Sequence, residues 1–174
     1  MKQIWCDFDG VIVKNEMHNA NTAKVTPAEF HLLATKAYEQ NPAASYAIKK
    51  LIRQNRINGA RVSIITGRKK STLGFLTQKV LKDHKIEVDA LFFYPEENSY
   101  TQKEYFSWKT TVISSSMKKT DNLETWVIDD DLQLLNHLKT HLPTGRLCLT
   151  HYELNPNGRD TMIHLQDTRC LRYD

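Results

Sequence analysis

Residues 3–11 of the chain read Gln3-Ile4-Trp5-Cys6-Asp7-Phe8-Asp9-Gly10-Val11. The apolar residues before Asp7 form a run of strand length, and this run ends in two acidic residues and a glycine. The pattern predicts a buried β-strand whose carboxyl end carries Asp7 and Asp9. In open parallel sheets, ligands bind beyond the carboxyl ends of the strands, so the same stretch also predicts a functional site.

Outward from this stretch, short apolar runs alternate with segments of helical periodicity. This alternation predicts a parallel sheet with helices on both faces, so we expect a Rossmann-like three-layer α/β fold in a single domain over residues 1–174. The predicted strands after the first lie at 11–13, 60–65, 90–94, 125–128, 146–149 and, as an edge strand, 162–165. The predicted helices lie at 26–39, 42–57, 71–83, 107–113 and 132–138, with a loop at 95–105.

Polar groups that follow predicted strands, or that open a predicted helix, should meet at one rim of this sheet. They are the pair Asp7 and Asp9, the predicted turn Thr66-Gly67-Arg68, the acids Asp129 and Asp130, and Lys109 at the start of the helix predicted from 107.

The chemistry of this set indicates a metal-dependent phosphate site. The carboxylates would repel one another, and an all-oxygen set suits a hard cation such as Mg²⁺. Asp7 could attack phosphorus, while Asp9 could protonate the leaving oxygen and then activate water. The Thr66 hydroxyl, the Gly67 amide and the Lys109 ammonium could hold phosphate oxygens.

Over about residues 2–150, these residues resemble the four motifs of the haloacid dehalogenase (HAD) superfamily, in the same order. Asp7-Phe8-Asp9-Gly10-Val11 resembles the first motif and Ile64-Ile65-Thr66-Gly67-Arg68 the second. Lys109 resembles the third, and Val127-Ile128-Asp129-Asp130 the fourth.

The resemblance implies a role for each matched residue in a phosphatase. Asp7 would be the nucleophile and a Mg²⁺ ligand, and Asp9 the general acid and base with its backbone carbonyl on the metal. Thr66 and Lys109 would bind the phosphoryl group. Asp130 would complete the metal site with Asp129 beside it, although the choice of direct ligand among Asp129, Asp130 and Asp131 stays open.

Within the superfamily, the Thr66-Gly67-Arg68 sequence and the acidic triplet are similar to the polynucleotide 3′-phosphatase and RNA-repair-like branch. This similarity implies that Arg68 joins the Gly67 amide in binding substrate phosphate, and it favours a nucleic-acid or nucleotide phosphate. The chain leaves room for only a minimal helical cap, within about residues 15–42. A small cap leaves the site open to large substrates.

Several alternatives remain. The chain could transfer the phosphoryl group to an acceptor other than water, or bind phosphate or nucleic acid without turnover.

Tyr100, Tyr105 and Trp108 could stack on bases or belong to the core. His137 and His141 have the spacing of a zinc pair, but a third ligand is not apparent, which favours a surface or structural role.

The composition indicates an ordinary globular protein, with 40% hydrophobic and 25% charged residues in 174. A net charge of +4 permits a phosphorylated or nucleic-acid partner. No apolar run is long enough to span a membrane, and we expect a cytoplasmic protein.

Three cysteines do not indicate a disulfide framework, so Cys6 and Cys148, which lie in apolar runs, are expected to be buried free thiols.

Overall fold

A six-stranded sheet organises the chain. The computed structural model describes residues 1–14, 44–118, 124–154 and 161–164, together with residues 29, 32, 35 and 36. The strands are β1 (Lys2–Cys6), β2 (Arg61–Lys69), β3 (Ala90–Tyr94), β4 (Glu124–Asp129), β5 (Leu147–Glu153) and β6 (Thr161–His164). Their order is β3-β2-β1-β4-β5-β6, in which β1 to β5 are parallel and β6 is antiparallel to β5.

Helices follow the strands in the described part of the chain. They are α1 (Tyr46–Ile57), α2 (Lys70–Asp83), α3 (Gln102–Lys118) and α4 (Leu132–His141), with a short 3₁₀ helix at Thr144–Arg146.

These helices cover both faces of the sheet, because successive strand residues point to opposite sides. Cys6 of β1 packs in one core with Ile48 of α1 and Val80 of α2. Its neighbour Trp5 packs in a second core with side chains of α3 and α4, among them Leu135. The predicted Rossmann-like, three-layer α/β fold is therefore confirmed.

Helix α3 begins earlier than the sequence analysis predicted. It starts at Gln102, so part of the predicted 95–105 loop is helical. The Thr101 Oγ1 accepts a hydrogen bond from the Glu104 N–H at 3.3 Å and donates one to the Glu104 Oε2 at 2.9 Å. Thr101 and Glu104 are spaced as in a capping box, a start signal that the prediction overlooked. As a result, Lys109 lies inside α3 and not at its N-terminus.

The predicted turn at Thr66-Gly67-Arg68 is also wrong, because β2 continues through it to Lys69. The register of β2 against β3 shifts between Thr66 and Lys69, so Gly67 and Arg68 lie in an irregular segment of the strand, which we call the bulge. A bulge increases the local twist and re-aims the side chains around it. The chain then enters α2 directly at Lys70.

Two smaller predictions near the first motif need correction. Residues 11–13 are not a strand, since the N–H groups of Ile12 and Val13 both donate to the Phe8 carbonyl oxygen, at 2.9 and 3.0 Å, in a turn. Helix α1 begins at Tyr46, later than the predicted start at 42, because Ser45 caps it. The Ser45 Oγ accepts a hydrogen bond from the Ile48 N–H at 3.2 Å.

The predicted edge strand near the carboxyl end is confirmed as β6.

Cys6 is free and buried, but the free thiol expected at Cys148 is wrong, because Cys148 is disulfide-bonded. The number and spacing of cysteines do not report such a pairing. Cys170 lies outside the described residues.

The predicted cap at about 15–42 falls almost entirely outside the described residues. Those described within it, at 29, 32, 35 and 36, are helical. The single domain and the minimal cap therefore stay predictions. Among the described residues, no helix has the length and apolar character needed to cross a membrane.

Candidate active site

The carboxyl ends of β1 and β4 bring Asp7 and Asp129 side by side. The Asp7 N–H donates to the Ile128 carbonyl oxygen at 2.9 Å, which extends the pairing of β1 with β4 by one residue. Asp7 is only 6% exposed and Asp129 only 1%. Because two buried carboxylates repel each other, the arrangement needs a cation close by.

Lys109 provides a positive charge between these two carboxylates. Its Nζ donates to the Asp7 Oδ1 at 3.0 Å and to the Asp129 Oδ2 at 2.7 Å. Lys109 is fully buried, on the face of α3 that also carries the buried Phe106 and Ile113. These contacts use two of the three N–H donors of the ammonium, and Lys109 also interacts with the Tyr105 hydroxyl.

The electrostatics of the site still favour a further cation. Burial raises the pKa of Asp7 well above its ordinary value, against the lowering effect of Lys109, and the acids Asp129, Asp130 and Asp9 raise it further. Burial lowers the pKa of Lys109, but Asp129 and Asp7 outweigh this effect and hold that pKa well above its ordinary value. The lysine therefore stays charged, and its single charge does not compensate all of the surrounding acids.

Asp130 completes an acidic cluster with Asp7 and Asp129. The three residues offer carboxylate oxygens that all lie within 4.8 Å of one another. No other group of three or more acidic, histidine or cysteine ligands occurs in the described part of the chain. An all-oxygen set of few carboxylates fits Mg²⁺, which usually keeps waters and shares its remaining positions with substrate phosphate.

The close approach of Asp130 depends on Gly10. A Cβ atom at Gly10 would lie 2.0 Å from the Asp130 Oδ2, and the φ of Gly10 is +83°. Both the contact and the left-handed backbone therefore require glycine at this position. The end of β5 holds the segments of Gly10 and Asp130 in place. The Leu154 N–H donates to the Gly10 carbonyl oxygen at 3.0 Å, and the His151 Nε2 donates to the Asp130 carbonyl oxygen at 2.9 Å.

The acids on either side of Asp130 have other partners. The Asp129 Oδ1 accepts the Asp131 N–H at 2.9 Å, in addition to the Lys109 contact with Oδ2. The Asp131 Oδ1 accepts the N–H groups of Gln133 and Leu134 at 2.8 and 3.0 Å, so Asp131 caps α4.

Asp9 is held by Arg68. The Arg68 Nε lies 2.8 Å from the Asp9 Oδ2, and its Nη2 lies 2.6 Å from the Asp9 Oδ1. Arg68 also donates from Nη1 to the Thr77 Oγ1 at 3.1 Å, and its guanidinium lies 4.4 Å above the Phe8 ring. The substrate contact expected for Arg68 stays a prediction, and here its guanidinium is fixed in a two-pronged contact with Asp9.

The bulge in β2 sets the position of Thr66 and Gly67. Thr66 is fully buried, and its Oγ1 accepts the Arg68 N–H at 3.2 Å. A Cβ atom at Gly67 would lie 3.3 Å from the Tyr105 Cε2 and 3.5 Å from the Tyr105 hydroxyl oxygen. Tyr105 therefore packs against the backbone of the segment that the sequence analysis assigned to phosphate binding.

Sequence analysis did not assign Tyr105 to the site. Its ring centroid lies 4.8 Å from the Lys109 Nζ. Burial raises the pKa of its hydroxyl well above the ordinary value, Asp7 and Asp129 raise that pKa further, and Lys109 lowers it. Tyr105 and Lys109 are four residues apart, so a helix through both would place them on one face. The capping box at Thr101 was the signal that could have revealed this.

The remaining candidates form no second site. His137 and His141 stack with ring centroids 3.9 Å apart, and the His141 Nδ1 lies 2.8 Å from the His137 carbonyl oxygen. The half-buried Trp108 packs edge-on against Tyr94 at 5.2 Å, and Tyr100 stacks on Tyr94 at 5.2 Å.

No protein-family model and no curated protein matches this sequence. Solved structures match the fold. In the Pnkp1/Rnl/Hen1 RNA repair complex, one matching chain has a TM-score of 0.59 and 16% identity over 81% of this chain. A second structure of that complex has a TM-score of 0.56 and 15% identity over 88% of this chain. This chain covers 40% and 47% of those chains, less than half of their length.

The HAD domain of the effector protein Lem4 from Legionella pneumophila matches over nearly its full length. Its TM-score is 0.55, with 15% identity, and the match covers 89% of this chain and 88% of the Lem4 chain. The chain therefore has the fold of HAD domains, as the motifs predicted.

Proposed function

We propose that this chain is a Mg²⁺-dependent phosphomonoester hydrolase that uses Asp7 as a covalent nucleophile. The observation that carries the proposal is the buried Lys109 ammonium, which contacts both Asp7 and Asp129 while Asp130 lies close to both acids. Such a site concentrates a nucleophile, a fixed cation and ligands for a second cation within a few ångströms, as phosphoryl transfer requires.

In the first half of the reaction, Asp7 attacks phosphorus. Its Oδ1 is bound to Lys109, so Oδ2 is the oxygen proposed to form the new bond. The O–P bond forms as the bond from phosphorus to the leaving oxygen breaks, which gives an aspartyl-phosphate. In the second half, water attacks phosphorus, inorganic phosphate leaves and the Asp7 carboxylate is restored.

Asp9 is proposed to move the proton in both halves. A protonated Asp9 gives its proton to the leaving oxygen, and the resulting carboxylate later takes a proton from the attacking water. In the described arrangement both Asp9 oxygens accept hydrogen bonds from Arg68. We therefore assign Arg68 the task of orienting Asp9, in addition to the substrate contact predicted from the sequence.

The metal ligands proposed are Asp7 and Asp130, with the backbone carbonyl of Asp9. Asp129 is proposed to act mainly by fixing Lys109, because its two oxygens already have the Lys109 and Asp131 partners. A bound Mg²⁺ would offset the charge that these acids share with the substrate phosphate. Asp131 is not assigned to the metal, since it caps α4.

The phosphoryl group is proposed to lie between Asp7 and the bulge of β2. The Thr66 hydroxyl, the Gly67 amide and the Lys109 ammonium are the donors assigned to its oxygens. These groups lie on β2 and α3, elements that both border Asp7.

For the substrate we propose a nucleic-acid or nucleotide phosphate. The similarity of the fold to chains of an RNA repair complex supports this class. The net charge of +4 is compatible with it.

Asp7→Asn tests the mechanism. We expect Mg²⁺-dependent release of phosphate from an aryl phosphate to fall by at least about 10³-fold, because an amide oxygen is a poor nucleophile. Asp83→Asn is the matched control, since Asp83 pairs with Lys79 on the surface of α2. Full activity in Asp7→Asn, or equal losses in both variants, would contradict the proposal.

A substrate screen tests the class. Oligonucleotides with a terminal phosphate and nucleoside monophosphates would be compared with sugar phosphates in the presence of Mg²⁺. We expect the highest kcat/KM on a nucleic-acid or nucleotide phosphate. A preference for a sugar phosphate by orders of magnitude would refute this part of the proposal and leave the mechanism standing.

A further inference from the structure

We propose that the hydroxyl group of Tyr105 is an additional hydrogen-bond donor to the phosphoryl group bound over Asp7. The inference rests on the proposed function and adds a substrate-binding residue to it. Two neighbours locate this hydroxyl: the backbone of Gly67 and the ammonium of Lys109.

The first of these is the packing of Tyr105 against Gly67. A methyl group at Gly67 would lie 3.3 Å from the Tyr105 Cε2, closer than most real contacts of a Cβ atom, and 3.5 Å from the hydroxyl oxygen, an ordinary van der Waals contact. Glycine therefore leaves the phenol room at the bulge where the proposed phosphate-binding amide lies. The edge of the ring that carries the hydroxyl faces this segment.

The second is the position of Lys109 on the same helical face. Its Nζ lies 4.8 Å from the centroid of the Tyr105 ring, one helical turn away. The same Nζ contacts Asp7 at 3.0 Å. The phenol is thus close to the ammonium that holds the proposed nucleophile, and a ligand bound to that ammonium comes within its reach.

The hydroxyl of Tyr105 also carries its proton. Burial raises the pKa of Tyr105 well above its ordinary value, Asp7 raises it further and Lys109 lowers it. The hydroxyl therefore keeps its proton at neutral pH and can donate it to an anionic oxygen.

The aromatic neighbours hold the Tyr105 ring in place. Tyr94 meets it edge-on with centroids 5.7 Å apart, and Trp108 stacks beside it at 6.1 Å. These contacts involve the ring, whereas the hydroxyl interacts with Lys109. Replacing Tyr105 with phenylalanine should therefore remove one oxygen atom and keep the packing.

The test compares Tyr105→Phe with Tyr94→Phe in the full chain with Mg²⁺. Tyr94 belongs to the same aromatic cluster, but its hydroxyl donates to the Ser99 carbonyl oxygen at 2.8 Å. The readouts are the affinity for inorganic phosphate by calorimetry, kcat and KM on an aryl phosphate, and the thermal midpoint. Because a hydrogen bond to a charged group is worth about 1.5–3 kcal/mol, we expect Tyr105→Phe to lose about 10- to 100-fold in phosphate affinity and in kcat/KM.

Tyr94→Phe should keep both values within about 3-fold of the wild type, and Tyr105→Phe should keep its thermal midpoint. An active wild type with an unchanged Tyr105→Phe variant would overturn this inference alone. Equal losses in both variants would also overturn it, because they would indicate a structural role. A wild type that binds phosphate through Tyr105 but releases none from any ester would overturn the proposed hydrolysis and leave the phosphate contact standing.

Discussion

The guanidinium of Arg68 binds both carboxylate oxygens of Asp9, with 2.8 Å from Nε to Oδ2 and 2.6 Å from Nη2 to Oδ1. Both residues lie at carboxyl ends of neighbouring strands, and Arg68 is only 4% exposed. A buried, bidentate arginine–carboxylate pair fixes direction as well as distance. The proposed general acid and base is thus oriented by a residue of the second motif.

Arg68→Lys should separate orientation from charge. Lysine keeps the positive charge but cannot form the planar two-pronged contact, so Asp9 loses its fixed direction. A misplacement of about 1 Å can cost about 10²-fold, and we expect kcat to fall by roughly that factor with a smaller change in KM. Arg56→Lys is the control, since Arg56 binds Asp89 at 2.7 Å away from the site. An equal loss of kcat in Arg56→Lys and Arg68→Lys would argue against the assigned role.

Gly10→Ala should damage the proposed metal site. The new methyl group would meet the Asp130 Oδ2 at 2.0 Å, and alanine is strained at the φ of +83°. Gly59→Ala is a close control, because Gly59 has a φ of +80° but no atom within 4 Å of the added methyl. The backbone strain of about 1 kcal/mol is then common to both variants. We expect Gly10→Ala alone to weaken Mg²⁺ binding, measured by calorimetry, and to be the less stable of the two in urea.

Asp130→Asn should weaken Mg²⁺ binding more than Asp131→Asn. Asp130 is the proposed ligand, whereas Asp131 accepts the N–H groups of Gln133 and Leu134 through its Oδ1. Asparagine caps a helix about as well as aspartate, so Asp131→Asn should leave both stability and metal affinity nearly unchanged. Metal titrations of the two variants would measure this difference. A larger loss in Asp131→Asn would reassign the ligand.

The stability of the metal-free protein should depend on Asp7 and on pH. Burial raises the pKa of Asp7 in the folded state above its ordinary value of 3.8, so the folded state binds more protons than the unfolded state above that pH. By linkage, the free energy of unfolding that depends on Asp7 therefore falls as pH rises from about 4 through the raised pKa of Asp7.

Asp7→Asn removes this repulsion, while Lys109 keeps Asp129 as a partner. In EDTA at pH 7 we expect the variant to melt higher than the wild type, by about 2–4 °C per kcal/mol gained. Melting curves from pH 4 to pH 8 should show the gap widening with pH, and excess Mg²⁺ should narrow it. A variant that melts lower than the wild type at every pH would contradict this account.

The sequence was sufficient for the fold class and for the grouping of Asp7, Asp129 and Asp130 in the candidate site. Strands that end at Cys6 and Asp129 follow from apolar runs interrupted by acid, and parallel strands bring their carboxyl ends to one edge. The start of α3 was mispredicted because the helical signal at Thr101-Gln102-Lys103-Glu104 is polar and lacks hydrophobic periodicity. The bulge at Gly67 was mispredicted because glycine after a strand more often marks a turn.

The sequence by itself therefore determined which acids meet at the edge of the sheet, because parallel strands bring the polar groups that follow them to one edge. Lys109 was identified by its resemblance to the third motif, since its predicted place at a helix start was wrong. Only the tertiary structure decided which side chains pair there. The contacts of Arg68 with Asp9 and of Tyr105 with Gly67 depend on the bulge in β2 and on the rotation of α3 about its axis. Both are set by packing between residues far apart in the chain, which no local pattern encodes.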